Sequence, residues 1–315
     1  MNVRSPFVAV IGAGQVGATA AQRILEKGLS DVVLFDVVPG LPQGKALDLM
    51  EAAPLEGHDR RIFDTNDYKD ITCAEIVVIT AGLPRKPGMT REDLLVLNAK
   101  IVGEVCGNIK THAPNAKVIV VTNPLDVMTY LAWRVTGFPV QRVFGMAGVL
   151  DTARMRFFIA EKLNIVPKEV DAIVLGGHGD LMVPVSSHSK AAKKGVKEQI
   201  SSAELAAIEQ RTRDGGAEIV ALLKTGSAFY APASSVCEMC RAILKDENKT
   251  LPVCAYLDGP YGLKGIYFGV PAVLGKKGVE KVAEISLSEE EKKALQLSAQ
   301  KVKQGIEEVE KLVPR

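Results

Sequence analysis

The chain has 315 residues, of which 47% are hydrophobic and 24% charged, and its formal net charge is +2. That length suits two domains or one large α/β unit with an ample core. A near-neutral balance with no basic block gives no electrostatic reason to expect a nucleic-acid partner, and no apolar run reaches the roughly 18 residues of a membrane span. Five cysteines, an odd number in a long chain, do not form a disulfide framework. The N-terminal MNVRSPFVAVIGAGQVG runs into glycines that read as structural rather than as a signal-cleavage site, so the expected location is the reduced cytoplasm.

In chain order, Phe7–Ile11 is a short β-type run and Ala18–Glu26 has helical composition. Asp31–Phe35, Ile76–Thr80 and Val118–Thr122 are further apolar runs that do not alternate, the pattern of parallel strands buried on both faces. Helical segments such as Arg91–Lys110 lie between them. This is the pattern of an α/β doubly wound parallel sheet. The second half reads as mixed α+β: helix over Thr152–Leu163, strand over Glu169–Leu175, and long helices over Ser202–Lys224 and Ala228–Lys245. Antiparallel hairpins are expected between Leu251 and Leu274, and a charged helix capped by Ser288 closes the chain. The change of character near Gly145–Leu150 sets the expected domains at 1–147 and 148–315, with no flexible linker between them.

VAVIGAGQVG has Gly12, Gly14 and Gly17 in the G-x-G-x-x-G spacing. A strand precedes it, a helix follows, and a second strand ends at Asp36, 19 residues after Gly17. Together these mark a dinucleotide-binding (Rossmann) unit. The loop Gly12, Ala13, Gly14, Gln15, Val16 and Gly17 would offer backbone N–H groups to a pyrophosphate. Asp36 would accept the ribose hydroxyls and repel a 2′-phosphate, which favours NAD over NADP. Val121 and Thr122 end the run VIVVT and Asn123 follows it, where ligands bind in such sheets. Asn123, before Pro124, reads by itself first as a turn residue and second as an amide presented to nicotinamide or substrate.

Of the four histidines, His58 and His112 sit in polar, turn-like settings and read as solvated, and His188 as a surface strand residue. His178, flanked by glycines after DAIVL, is either a proton shuttle at a strand end or a turn histidine bonded to backbone. Asp151 reads as a helix N-cap or as a partner for an imidazole. Arg154, three residues on, shares its face, either as an intrahelical ion pair or as a fork for a substrate carboxylate. Thr80–Asp93, TAGLPRKPGMTRED, is broken by Gly and Pro yet carries Arg85, Lys86 and Arg91. Cys237 and Cys240 form a C-x-x-C with no second pair for zinc, so they read as core thiols and no metal is expected.

The segments VIGAGQVG, AGLPRKPGMTREDLLVLN, VVTNPLD, GMAGVLDTAR and VLGGHGDLMVP occur in the order of the lactate/malate dehydrogenase superfamily, which the chain resembles along nearly its whole length. The resemblance implies that His178 is the acid/base and Asp151 its partner. It gives Arg154 the substrate carboxylate, Arg91 the substrate carbonyl, and Asn98 and Asn123 contacts with cofactor or substrate. At Arg85 the lactate branch has glutamine and the malate branch arginine, and a dicarboxylate in a dry site needs a fixed cation for its second charge. GKALDL, and Ala228 where lactate enzymes carry threonine, also resemble the malate branch. The implied activity is NAD-dependent interconversion of malate and oxaloacetate by a homodimer or homotetramer. The alternatives are a lactate or other 2-hydroxyacid dehydrogenase and a catalytically silent dinucleotide sensor.

Overall fold

The computed structural model describes residues 6–84 and 90–312, with Arg91 described by its backbone alone. The first half runs β1 (Phe7–Ile11), α1 (Gln15–Glu26), β2 (Asp31–Phe35), α2 (Leu41–Glu56), β3 (Ile62–Thr65), β4 (Ile76–Ile79), α3 (Arg91–His112), β5 (Lys117–Val120), α4 (Leu125–Thr136) and β6 (Val143–Gly145). After α5 (Gly148–Leu163) come five short strands: β7 (Val170–Asp171), β8 (Val174–Leu175), β9 (Val183–Pro184), β10 (Lys190–Ala191) and β11 (Lys194–Gly195). Then follow α6 (Val196–Gln199), α7 (Ser202–Leu223), α8 (Tyr230–Leu244), β12 (Lys249–Asp258), β13 (Lys264–Gly275), β14 (Gly278–Val282) and α9 (Glu289–Glu310).

Every residue of β1, β2, β4 and β5 is buried, which is why these runs carry Val and Ile without alternation. They form one nine-stranded sheet in the order β3-β2-β1-β4-β5-β6-β12-β13-β14 among the described residues. Pairing is parallel from β3 to β6, and the strand order reverses between β1 and β4. Such a reversal leaves a crevice at the carboxyl ends of the strands. The hairpin expected between Leu251 and Leu274 is β12 and β13, and it extends the same sheet: Cys254 of β12 pairs antiparallel with Gly145 of β6. A second core, with Met155, Phe158, Ile159, Val174, Met182 and Ile208, lies where α5 packs on α7.

The structure corrects several sequence expectations. Glu169–Leu175 is not one strand. β7 pairs with β10 while β8 pairs with β9, because Val174 N–H turns to the Thr152 hydroxyl of α5 at 2.9 Å and leaves the line of β7. His188 lies in a turn, not a strand. His58 and His112 are half-buried rather than solvated. The pattern did not announce α2, whose stretch carries Gly40, Pro42, Gly44 and Pro54. Pro42 is harmless near a helix start, where its missing N–H is not needed. Cys237 and Cys240 are free, fully buried thiols on α8. Among the described residues no helix is long and apolar enough to cross a membrane.

The turn from β1 into α1 is fixed by space. Gly12 has φ +110°, open to glycine at little cost, and a Cβ there would stand 2.7 Å from Thr80 Oγ1. A Cβ at Gly17 would overlap the Gly12 carbonyl oxygen and also stand 2.7 Å from Thr80 Oγ1. Gly17→Ala is therefore expected to destabilise the protein by about 3 kcal/mol or more and to abolish NADH binding, read by thermal unfolding and fluorescence titration.

Candidate active site

The carboxyl ends of β1, β4 and β5 bring the first group of expected residues together. Gly14 is the N-cap of α1, without a side-chain cap, and a Cβ on it would meet nothing within 4 Å. The first turn of α1 has no acidic residue, and Gly14 and Gln15 are exposed. Free N–H groups, open space and a helix dipole make this an anion-binding end. Asp36 follows β2 beside it: Oδ2 accepts from Ala13 N–H at 2.7 Å and Oδ1 from Val38 N–H at 3.0 Å. The carboxylate is thus held against the glycine loop, with lone pairs to spare for a diol. These features fit a dinucleotide.

Side chains lock the neighbouring loops to this one. The Thr80 hydroxyl lies within hydrogen-bond distance of the carbonyls of Ile11 and Gly12, at 3.1 and 3.0 Å, and the Thr122 hydroxyl donates to Ala81 O at 2.6 Å. Asn98, 1% exposed, donates to Asn123 O at 2.7 Å and Leu83 O at 3.2 Å and accepts from Leu83 N–H at 2.8 Å. Its amide is committed to backbone, so it acts on the crevice by holding the loops after β4 and β5. Val121 is half-buried, and Asn123, which precedes a cis proline, is exposed at the end of β5. Arg85 and Lys86 lie outside the described residues, as does the side chain of Arg91, whose backbone opens α3 behind the Thr90 cap.

The second group meets at Asp151. α5 starts at Gly148 after Ala147, so Asp151 lies inside the first turn and is not the N-cap. Its carboxylate, 2% exposed, takes His178 Nδ1 on Oδ2 at 2.8 Å and Arg154 Nη1 on Oδ1 at 3.2 Å. A carboxylate only accepts, so Nδ1 carries the hydrogen and Nε2 is the open nitrogen of neutral His178. The intrahelical Asp151–Arg154 pair is thus real, and the same carboxylate also orients the imidazole. Arg154 lies across α7, where a Cβ on Gly215 would stand 3.0 Å from its Cδ. This accounts for Gly215 within a helix, where a glycine costs about 1 kcal/mol against alanine.

Asp126 was not singled out from the sequence. It lies in the first turn of α4, 4% exposed, and Oδ2 accepts His178 N–H at 2.8 Å. An aspartate in a first turn is an ordinary dipole partner, so nothing local distinguished it. Burial pushes its carboxyl above the usual range, against the bond from His178 N–H. Burial pulls His178 down, but the charge and hydrogen bond of Asp151 and the charge of Asp126 outweigh it, and its pKa is raised despite Arg154. A raised imidazole stabilises the fold fully below its unfolded value of about 6.5, and that contribution is lost as pH rises through the folded value. In urea unfolding, the stability difference between wild type and His178→Gln is expected to be constant below about pH 6 and to shrink at higher pH.

The chain is similar to known proteins along nearly its whole length. Residues 7–145 match the lactate/malate dehydrogenase NAD binding domain, and residues 148–313 match the lactate/malate dehydrogenase alpha/beta C-terminal domain. The chain belongs to the lactate/malate dehydrogenase family. Among curated relatives, a malate dehydrogenase of Nostoc punctiforme is 54% identical over 98% of this chain and 94% of its own. The crystal structure of Cryptosporidium parvum malate dehydrogenase superimposes with TM-score 0.95 at 44% identity, covering 98% of this chain and 100% of that one. The lactate dehydrogenase of the same organism, complexed with lactic acid and nicotinamide adenine dinucleotide, also gives TM-score 0.95, at 40% identity over 99% and 100% of the two chains. Backbone shape therefore does not separate the two branches of the family.

Proposed function

We propose that this chain catalyses the reversible oxidation of (S)-malate to oxaloacetate with NAD. The observation that carries this reading is the Asp151 carboxylate shared by His178 and Arg154, which mounts a proton carrier and a carboxylate fork on one buried support. The malate dehydrogenase relatives support the substrate. NAD, when bound, supplies the hydride acceptor. Gly12, Ala13, Gly14, Gln15, Val16 and Gly17 would hold its pyrophosphate and Asp36 its ribose hydroxyls. Val121, Thr122 and Asn123 would line the crevice further in, with Asn98 keeping their loop in place.

His178 Nε2 takes the malate hydroxyl proton while Nδ1–H stays on Asp151, whose charge stabilises the imidazolium that forms. Arg154 forks the C1 carboxylate. Arg91 polarises the carbonyl in the reverse direction, where charge develops on oxygen. Arg85 meets the C4 carboxylate. Residues 1–147 form the cofactor unit and 148–315 the substrate unit. The same reading makes the enzyme a cytoplasmic homo-oligomer serving the tricarboxylic acid cycle. The exposed Leu47 and Leu55 on α2 and Leu222 and Tyr230 near the α7–α8 junction support self-association.

Lactate oxidation is the second reading, kept by the equal TM-score to a lactate dehydrogenase structure. NADH oxidation with oxaloacetate and with pyruvate separates the two, and wild type is expected to prefer oxaloacetate. Leaving a buried charge unpaired costs about 3–5 kcal/mol, so Arg85→Gln is expected to lower kcat/KM for oxaloacetate by roughly 10²- to 10⁴-fold. Pyruvate turnover should change little; an unchanged oxaloacetate/pyruvate ratio would remove Arg85 from the specificity argument. Asp36→Ser is expected to raise the NADPH/NADH ratio of kcat/KM at least about tenfold, since it removes the carboxylate that repels a 2′-phosphate.

A further inference from the structure

Three consecutive backbone N–H groups lead up to the imidazole, and each is held by a different element. Gly176 N–H donates to Gly269 O of β13 at 2.9 Å. Gly177 N–H donates to the Ser298 hydroxyl of α9 at 2.9 Å. His178 N–H donates to Asp126 Oδ2 of α4 at 2.8 Å. Space is as confined as polarity. Gly176 has φ +92°, and a Cβ on Gly177 would stand 2.7 Å from Val302 Cγ2 of α9. Both side-chain acceptors are buried, Ser298 at 1% and Asp126 at 4% exposure.

A buried N–H stripped of its acceptor is costly, so the peptide moves to find another. The Asp151–His178 bond fixes the direction of the ring only if the backbone beneath it stays in place. Displacements of about 1 Å at a reacting group lower rates by roughly 10²-fold.

We propose that Asp126 and Ser298 are positioning residues that clamp the backbone of His178 and Gly177, which makes the C-terminal helix α9 part of the catalytic framework. The clamp holds Nε2 on the line of proton transfer while Asp151 sets the tilt of the ring. This inference rests on the acid/base reading of His178. The carboxylate of Asp126 acts here as an acceptor, so an amide oxygen can replace it.

The test is steady-state kinetics of NADH oxidation with oxaloacetate, alongside NADH titration and thermal unfolding. Ser298→Ala is expected to lower kcat about tenfold, with KM for oxaloacetate and Kd for NADH within about twofold of wild type. Asp126→Ala should do the same or more. Asp126→Asn, which keeps an acceptor for His178 N–H, should retain kcat within about threefold. The clamp is overturned if folded Ser298→Ala keeps wild-type kcat, if Asp126→Asn loses as much as Asp126→Ala, or if kcat and NADH affinity fall together as in a general loosening. Should Asp126→Ala not fold, Ser298→Ala and Asp126→Asn decide between these outcomes. His178→Gln serves as the reference. If it retains turnover, the acid/base reading fails. If it is inactive while Ser298→Ala is unaffected, only the clamp fails.

Discussion

The site depends on one buried carboxylate. Asp151 has almost no access to water, so its charge must be met by protein, and it is met on both oxygens. A carboxylate with one partner would leave a costly unpaired lone-pair edge in a dry place. With two, it holds a guanidinium and an imidazole at fixed separation and fixes which imidazole nitrogen is open. A proton carrier and an anion fork are therefore coupled through a single residue.

The same economy of side chains joins this cluster to the glycine loop. Thr80 ties the loop after β4 to Ile11 and Gly12, Thr122 ties the loop after β5 to Ala81, and Asn98 spans Leu83 and Asn123. Asp126, three residues beyond Asn123, holds His178. Hydroxyls and amides at the strand ends thus replace the ladder bonds that the strands no longer supply, which keeps buried backbone paired. At the strand-order reversal the described parts of these loops are thus tied to one another by side-chain bonds.

Much of this was legible in the sequence. The buried parallel strands announced themselves because both faces are covered, so Val and Ile run without alternation. The glycine loop was readable because backbone approach and helix packing each demand glycine at a fixed spacing. His178, Asp151 and Arg154 were nameable as types, but each had an ordinary alternative, and the cap alternative for Asp151 falls only because α5 begins at Gly148. The break between β7 and β8 was hidden because Thr152, 22 residues before Val174, draws its N–H away. Asp126 and Ser298 were not visible, lying 52 and 121 residues from the backbone groups they accept.

The sequence alone determined what acts locally: the periodicity of buried strands, the turn chemistry around Gly12, the carboxylate after β2, and the residue types able to move a proton or fork an anion. Local sterics and hydrophobic burial operate over a few residues and leave their mark in order and spacing. Only the tertiary structure decided that Asp151 faces His178 rather than the end of its own helix, that the late hairpin extends the first sheet, and that α4 and α9 meet beneath one histidine. Those outcomes depend on which distant groups are left to satisfy one another once water is excluded, and no short stretch of sequence carries that information.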